Sequence, residues 1–162
     1  MTKFKIGDSK VLESRESPDG TMIRRRRITS DGKYRFTTYE RIEMPTLMVR
    51  KSSGTKEMFD RDKLLTAVRR SVGKFFKSDL EVESVVNAVE RKVHELGEEE
   101  VTSKQIGETI LDVLAETNEV AYVRFASVFQ EFKTLDEFEK IIREQREKKT
   151  KKEVSHEGGM LI

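Results

Sequence analysis

The stretch VRKSSGTKEMFDRDKL, residues 49–64, decides the fold of the larger part of the chain. It reads as a strand, a glycine-containing turn, a return strand and the beginning of a helix. This order puts Lys51 at the end of one strand, Glu57 on the next and Lys63 early in the helix. Two ammonium groups converging on such a junction could hold a polyphosphate, while strand backbone could read a base edge. The same residues also suit an ordinary capped hairpin.

The sequence after this hairpin predicts five helices, because its apolar residues recur at helical spacing. The first helix carries the stripe that begins at Leu64, and Ser78 opens the second, which Gly97 ends. The others begin near Thr102–Ser103, after Asn118 and at Thr134. Residues 98–100 (Glu98–Glu100) are interpreted as a solvated cluster in a loop. The apolar pattern fails from about Thr150, and residues 155–162 are predicted to be disordered.

The preceding residues predict an antiparallel sheet of three strands, over residues 9–17, 21–29 and 33–43. Asp-Gly occurs between consecutive strands, at 19–20 and 31–32, and this dipeptide is a strong hairpin signal. The chain is therefore expected to be α+β. We divide it into an N-terminal module (residues 1–45), a hairpin-capped helical bundle (residues 46–138) and a C-terminal helix end with a basic tail (residues 139–162).

The composition excludes several classes of function. The chain has 162 residues, 38% of them charged, and no cysteine, which excludes disulfides, thiol catalysis and cysteine-bound zinc. Its two histidines, His94 and His156, cannot form a metal cluster. No P-loop, nucleophile triad or metal constellation indicates an enzyme. No apolar run reaches the length of a membrane span, so the protein is expected to be cytoplasmic and to have no membrane partner.

The charge is uneven along the chain. The net charge is +4 over residues 1–45, −5 over residues 46–139 and +3 over residues 140–162. Basic ends beside an acidic middle indicate an anionic partner for the ends.

The hairpin stretch resembles the ATP-cone, the nucleotide-sensing domain of ribonucleotide reductases and of their NrdR-type transcriptional repressors. The residues that match the family pattern are Val49, Lys51, Gly54, Glu57, Phe59, Asp60 and Lys63. EVTSKQI (100–106) and VAYVRFASVF (120–129) are also similar to the family, the latter most closely to its repressor branch. The resemblance spans about residues 46–138, which we call the cone.

The resemblance implies a site for ATP or dATP, held as regulatory ligands. Its expected residues are Val49, Lys51, Ser52, Gly54, Glu57, Lys63, Thr102, Tyr122 and Arg124. Ser52 and Ser53 stand where the family commonly has a basic residue and an aspartate, which would weaken a phosphate contact. Thr102 also suits a helix N-cap, Tyr122 a packed core residue and Arg124 an ion-pair partner.

The N-terminal module resembles the zinc ribbon of NrdR-type repressors in VLESR (11–15), in DGTMIRRRR (19–27) and in RFTTYE (35–40). The family's metal ligands are missing, since Thr29 and Gly32 stand at one cysteine pair and the other falls around Lys3 and Ile6. We therefore expect a metal-free ribbon, without zinc. Its expected supports are the hairpin turns and apolar contacts of Val11, Leu12, Ile23, Tyr34 and Phe36.

Four consecutive arginines lie on the second strand, where Arg24 and Arg26 would point to one face and Arg25 and Arg27 to the other. A charge run is often a solvated surface. Four adjacent guanidinium groups repel one another, however, and DNA phosphates would neutralise them with a salt-dependent affinity. The expected DNA-binding residues are Arg15, Arg24, Arg25, Arg26, Arg27 and Arg35.

The resemblance implies a repressor of ribonucleotide reductase genes that responds to ATP or dATP. Nucleotide in the cone would select among oligomers of the chain, only some of which would fit paired operator sites in double-stranded DNA. The alternative is a nucleotide-sensing oligomerisation module that has lost DNA binding and acts through protein partners.

Overall fold

The computed structural model of the protein describes the backbone of residues 5–157 and the side chains of residues 5–148. This part of the chain forms two small sheets and five α-helices, which confirms the expected α+β class. No helix among these residues is long and apolar enough to cross a membrane.

The N-terminal sheet is the predicted meander. Its strands are β1 (Ser9–Glu16), β2 (Met22–Thr29) and β3 (Arg35–Arg41), which pair antiparallel in the order β1-β2-β3. Both hairpins turn at a glycine in the left-handed region, Gly20 at φ +68° and Gly32 at φ +72°. Glycine adopts this conformation without steric cost, which is why the Asp-Gly dipeptides identified both turns.

The sheet has very little apolar core. In the described part of the N-terminal module, Met22 is the one hydrophobic residue that is buried, at 1% exposure. Ile23 and Phe36 are half-buried, whereas Val11, Leu12 and Tyr34 are exposed, at 45%, 50% and 45%. Val11, Leu12 and Tyr34 thus stay about half exposed, and their predicted role in holding the module through apolar contacts stays a prediction. A sheet of three strands has too little area to bury both of its faces.

The cone begins with the predicted hairpin, β4 (Met48–Arg50) and β5 (Lys56–Met58). A third strand that the sequence did not predict, β6 (Glu100–Thr102), pairs parallel with β4, and Val49 is the register partner of Val101. The interpretation of Glu98–Glu100 as a loop cluster is therefore wrong for Glu100. This strand brings residues 100–102 beside residues 48–50 of the hairpin.

Five helices complete the described chain and confirm the predicted number and order. They are α1 (Arg61–Val72), α2 (Asp79–Glu95), α3 (Ser103–Thr117), α4 (Glu119–Phe129) and α5 (Leu135–Glu157). Helix α5 continues beyond Thr150, so the prediction of disorder is wrong for residues 155–157. Residues 158–162 lie outside the described residues.

The core of the cone is built almost entirely from the apolar stripes of these helices. The buried cluster includes Leu64, Val68, Val72, Val82, Val86, Val89, Val93, Val101, Ile110, Leu114, Ala126 and Ile141. Gly107 of α3 faces Phe129 of α4, and a Cβ at Gly107 would overlap the phenyl ring. Valine predominates in α2, where its compact side chain permits close packing.

The N-terminal module touches the cone through the β1–β2 turn. The Asn87 side chain of α2 donates a hydrogen bond to the Thr21 hydroxyl at 3.4 Å. Asn87 Oδ1 in turn accepts from the guanidinium of Arg61 at 2.5 Å, and that group also pairs with Glu83 at 2.8 Å and Glu90 at 3.3 Å. Only 9% of the Arg61 side chain is exposed. Arg61, the first residue of α1, is thus the centre of a buried ionic cluster beside the contact between the N-terminal module and the cone.

Candidate functional site

The hairpin turn of the cone is closed by backbone hydrogen bonds. Lys51 N donates to Thr55 O at 2.8 Å and Gly54 N donates to Lys51 O at 2.9 Å. Gly54 has φ +84°, which explains the glycine at this position. The turn fixes Lys51 at the end of β4 while Ser52 and Ser53 remain exposed.

Lys51 and Lys63 converge on one carboxylate, as their spacing in the sequence indicates. Glu57 Oε2 lies 2.8 Å from Lys51 Nζ and 3.2 Å from Lys63 Nζ. Hydrogen bonds from Lys51 and then from Lys63 hold the pKa of Glu57 below its ordinary value. Two cations therefore share one anionic oxygen at an accessible surface, and an oxygen of a bound anion could take the same place.

Asp60 fixes the position of Lys63. As the N-cap of α1, its carboxylate accepts hydrogen bonds from the backbone N of Asp62 at 2.9 Å and of Lys63 at 3.1 Å. Capping holds the first helical turn against the end of β5. The Lys63 side chain consequently projects beside the Glu57 carboxylate.

Strand β6 brings Thr102 to the same sheet. Thr102 is the register partner of Arg50, the neighbour of Lys51, and it caps α3 in a reciprocal box with Gln105. The N-cap interpretation of Thr102 is thus confirmed, and its proposed contact with nucleotide stays a prediction.

Glu100, in the same strand, forms a second ionic cluster. Its carboxylate pairs with Lys56 and, at 2.9 Å, with Arg50. These two cations, Lys56 first, hold the pKa of Glu100 below its ordinary value. Sequence reasoning missed this cluster because only the parallel pairing of β6 with β4 creates it.

The remaining expected nucleotide residues lie in different settings. Val49 is buried on β4, the central strand of the β5-β4-β6 sheet, and packs in the hydrophobic core. Tyr122 is buried in the helical core, where burial first and then the nearby Glu144 and Asp112 carboxylates raise the pKa of its hydroxyl. Arg124 is exposed on α4. A role of these three in binding nucleotide stays a prediction.

The N-terminal sheet divides the six candidate DNA-binding arginines between its faces. Arg24 pairs in register with Arg15 on β1, and Arg26 lies two residues further along β2. Arg35 pairs with Ile28, which alternation puts on the same face. We call Arg15, Arg24, Arg26 and Arg35 the arginine face. Arg24, Arg26 and Arg35 form no ion pair with the described part of the chain, and Arg15 pairs with Glu13 at 2.5 Å.

The other two arginines, on the opposite face, have partners within the module. Arg25 forms an ion pair with Glu40 of β3. Arg27 donates from Nε to the Thr38 hydroxyl at 3.2 Å and from Nη1 to the Ser9 hydroxyl at 3.0 Å. DNA contact by any of the six residues stays a prediction, but the arginine face is the more available surface.

Comparison with known proteins establishes the family. The family model of the ATP cone domain matches residues 47–135, and that of the transcriptional repressor NrdR-like N-terminal domain matches residues 5–40. The transcriptional repressor NrdR of Streptococcus gordonii is 46% identical over 142 residues, which cover 86% of this chain and 90% of that protein. The chain belongs to the NrdR family of transcriptional repressors.

Other NrdR proteins show the same extent of similarity. NrdR of Streptococcus sanguinis is 45% identical over 84% of this chain and 87% of its own length. NrdR of Streptococcus pneumoniae is 42% identical over 89% of this chain and 92% of its own length. Family membership confirms the resemblance to NrdR-type repressors and the expectation of a regulatory protein rather than an enzyme.

The family model that matches residues 5–40 is that of a zinc ribbon, and the described residues at its expected ligand positions offer no thiol or imidazole. Thr29 and Gly32, at one ligand pair, offer a hydroxyl and no side chain, and the Thr29 hydroxyl already bonds to Asp31. Ile6, at the other pair, is aliphatic. Among the residues whose side chains are described, no group of three or more His, Cys, Asp or Glu could hold a metal ion. Structural zinc requires four nitrogen, sulfur or carboxylate ligands.

Proposed function

We propose that this NrdR-family protein senses ATP or dATP through its cone and represses ribonucleotide reductase genes through its N-terminal module. The observation that carries the nucleotide part is the convergence of Lys51 and Lys63 on Glu57, at 2.8 Å and 3.2 Å. A triphosphate brings several anionic oxygens to the two ammonium groups and would displace the single carboxylate. The Glu57 side chain would then be free to accept a hydrogen bond from the ligand.

Nucleotide would control DNA binding through assembly. The bound ligand favours one arrangement of cones in an oligomer, and that arrangement sets the spacing between N-terminal modules. Only a spacing that matches paired half-sites lets two modules bind one operator. Because nucleotide binds the oligomer with this spacing and oligomers with other spacings with different affinity, it changes the affinity of the protein for DNA. The self-association, the DNA partner and a cytoplasmic location all belong to this proposal.

The nucleotide part is tested by thermal unfolding with and without dATP or ATP. Saturating ligand raises the melting temperature of the wild type, since ligand at a hundred times its Kd stabilises by about 2.7 kcal/mol. Lys51→Met and Lys63→Met lose most of this shift. Lys56→Met is the matched control, because Lys56 lies in the same hairpin but pairs with Glu100. Equal shifts in all three variants would contradict the site.

The DNA part is tested by the salt dependence of binding to a duplex from upstream of the organism's reductase genes. Each phosphate contact contributes about 0.9 to the slope of log K against log salt, so Arg26→Ala lowers that slope by about 1. Arg70→Ala removes the same charge from an exposed position on α1 and leaves the slope unchanged. Equal slopes for both variants and the wild type would favour the alternative, a nucleotide-sensing module without DNA function.

A further inference from the structure

Two turns lie together at the end of the N-terminal module away from the cone. One is the turn that begins at Lys5 and leads into β1, closed by a hydrogen bond from Asp8 N to Lys5 O at 3.2 Å. The other is the β2–β3 turn between Thr29 and Tyr34. Ile6 and the Thr29/Gly32 pair stand in these turns, at the positions where the family has metal ligands. A zinc ion bound at these positions would link the two turns, and in this chain hydrogen bonds link them instead.

Ser30 and Arg27 link the two turns directly. Ser30 donates to Asp8 O from its backbone N at 3.0 Å and from its hydroxyl at 2.9 Å. Arg27 Nη1 donates to the Ser9 hydroxyl at 3.0 Å and to Ile6 O at 3.4 Å. The Ser9 hydroxyl donates in turn to Ile6 O at 2.5 Å. Besides the strand pairing of Ser9 with Thr29, residues 6–9 thus accept four hydrogen bonds from Ser30 and Arg27.

The β2–β3 turn is also closed internally around Thr29. Its hydroxyl donates to Asp31 and accepts from Tyr34 N at 3.1 Å, and Asp31 accepts from Lys33 N at 3.2 Å. Hydrogen bonds from Thr29 and then from Lys33 hold the pKa of Asp31 below its ordinary value. Thr29, which stands where the family has a metal ligand, is thus the centre of a hydrogen-bonded turn.

The Arg27 guanidinium extends the network across the sheet. It lies on the face opposite Arg24 and Arg26, and its Nε donates to Thr38 Oγ1 of β3 at 3.2 Å. One side chain therefore connects the N-terminal turn, the central strand and the far edge strand. Arginine suits this position because its planar fork presents several fixed donors at once.

We propose that Arg27, Thr29 and Ser30 form a metal-free clasp that orders the N-terminal module in place of zinc. Arg27 is a positioning residue of this clasp and does not contact DNA. The module consequently keeps its fold, and the arginine face keeps its geometry, when zinc is withdrawn or an oxidant of thiols is added. The inference rests on contacts within the module and stands whether or not the module binds DNA.

Hydrogen exchange of the full-length chain, measured without DNA, tests the clasp. Amides of residues 5–9 and 29–34 exchange at the same rate with and without excess EDTA. Ser30→Ala removes the hydroxyl bond to Asp8 O, and Arg27→Met removes both guanidinium bonds to residues 6–9, so each variant accelerates exchange in both segments by about tenfold. The cone's exchange stays unchanged, which separates a loosened module from an unfolded protein.

Two matched variants control the experiment. Ser14→Ala removes an exposed hydroxyl from the same sheet, and Arg26→Met removes a guanidinium from the arginine face, so both retain wild-type exchange in the two segments. Acceleration by EDTA, or one zinc per purified chain, would overturn the proposal. So would equal exchange in Ser30→Ala and Ser14→Ala together with equal exchange in Arg27→Met and Arg26→Met.

Discussion

The cone and the N-terminal module are held together in different ways. The core cluster buries twenty apolar residues, nineteen of them in the cone and Ile141 further along α5, whereas Met22 is the one buried apolar residue among residues 5–45. The module relies instead on strand pairing, on two glycine turns and on the hydrogen bonds of Asp31, Ser30 and Arg27. Hydrophobic burial is non-directional, while a polar network depends on each partner. The module is therefore the region in which single polar changes act locally.

The largest effect is expected at Arg61, a buried charged residue in a cone that is otherwise held together by apolar side chains. Arg61→Ala leaves Glu83 and Glu90 without their partner beneath the module contact, at 5% and 13% side-chain exposure. Removal of one partner of a buried ion pair costs about 3–5 kcal/mol. Urea denaturation measures the loss, with Arg70→Ala on the exposed surface of α1 as control. Similar stabilities of the two variants would contradict the buried ionic centre.

A close contact between helices gives the next effect. Gly107→Ala places a methyl group against the Phe129 ring, and overpacking of this kind costs about 1–3 kcal/mol. Gly73→Ala is the matched control, because its new Cβ would meet only the flexible side chain of Arg69, at 3.3 Å. The free energy of unfolding should fall for Gly107→Ala alone. A stable Gly107→Ala protein would mean that α3 and α4 are further apart than described.

A substitution in the β2–β3 turn should destabilise the N-terminal module without changing the stability of the cone. Gly32→Ala forces a Cβ into the left-handed region at φ +72°, which costs about 1–2 kcal/mol. Hydrogen exchange should accelerate over residues 29–34, while thermal unfolding of the cone stays unchanged. Gly7→Ala, in open space and without a positive φ, is the control. A loss of cone stability in Gly32→Ala would show that the two regions unfold together.

The smallest effect concerns the pH dependence of the cluster formed by Lys51, Glu57 and Lys63. Because Lys51 and Lys63 lower the pKa of Glu57 from 4.5, this carboxylate contributes stability above pH 4.5 that is lost as pH falls through the lower, folded pKa. Glu57→Gln should therefore flatten the acid limb of melting temperature against pH. Glu108→Gln, on the exposed surface of α3, should retain the wild-type profile. Identical profiles for all three proteins would refute the lysine–carboxylate cluster.

The sequence predicted what depends on local pattern. Asp-Gly dipeptides identified both turns of the N-terminal sheet, and helical spacing of apolar residues identified five helices. Strand β6 was missed because three residues carry no period and their pairing with β4 is non-local. The burial of Arg61 was missed for the same reason, since Glu83 and Asn87 come from another helix. The Lys51–Glu57–Lys63 cluster was predictable because hairpin and helix start are contiguous in the chain.

The sequence alone could not show which arginines are available on the surface and which have partners within the module. Strand alternation alone separates Arg24 and Arg26 from Arg25 and Arg27. Register adds Arg15 and Arg35 to the first pair, and only the contacts with Glu40, Thr38 and Ser9 show that the second pair is used within the module.

The most direct test of the account is fluorescence anisotropy of the full-length protein with two duplexes, in near-physiological salt and with EDTA present. One duplex comes from upstream of the organism's own reductase genes, and the other is its scrambled counterpart. Each is titrated without nucleotide, with ATP, and with ATP plus dATP. The account predicts tighter binding to the native duplex that changes with the nucleotide, despite the chelator. Equal, weak binding to both duplexes in every condition would contradict it.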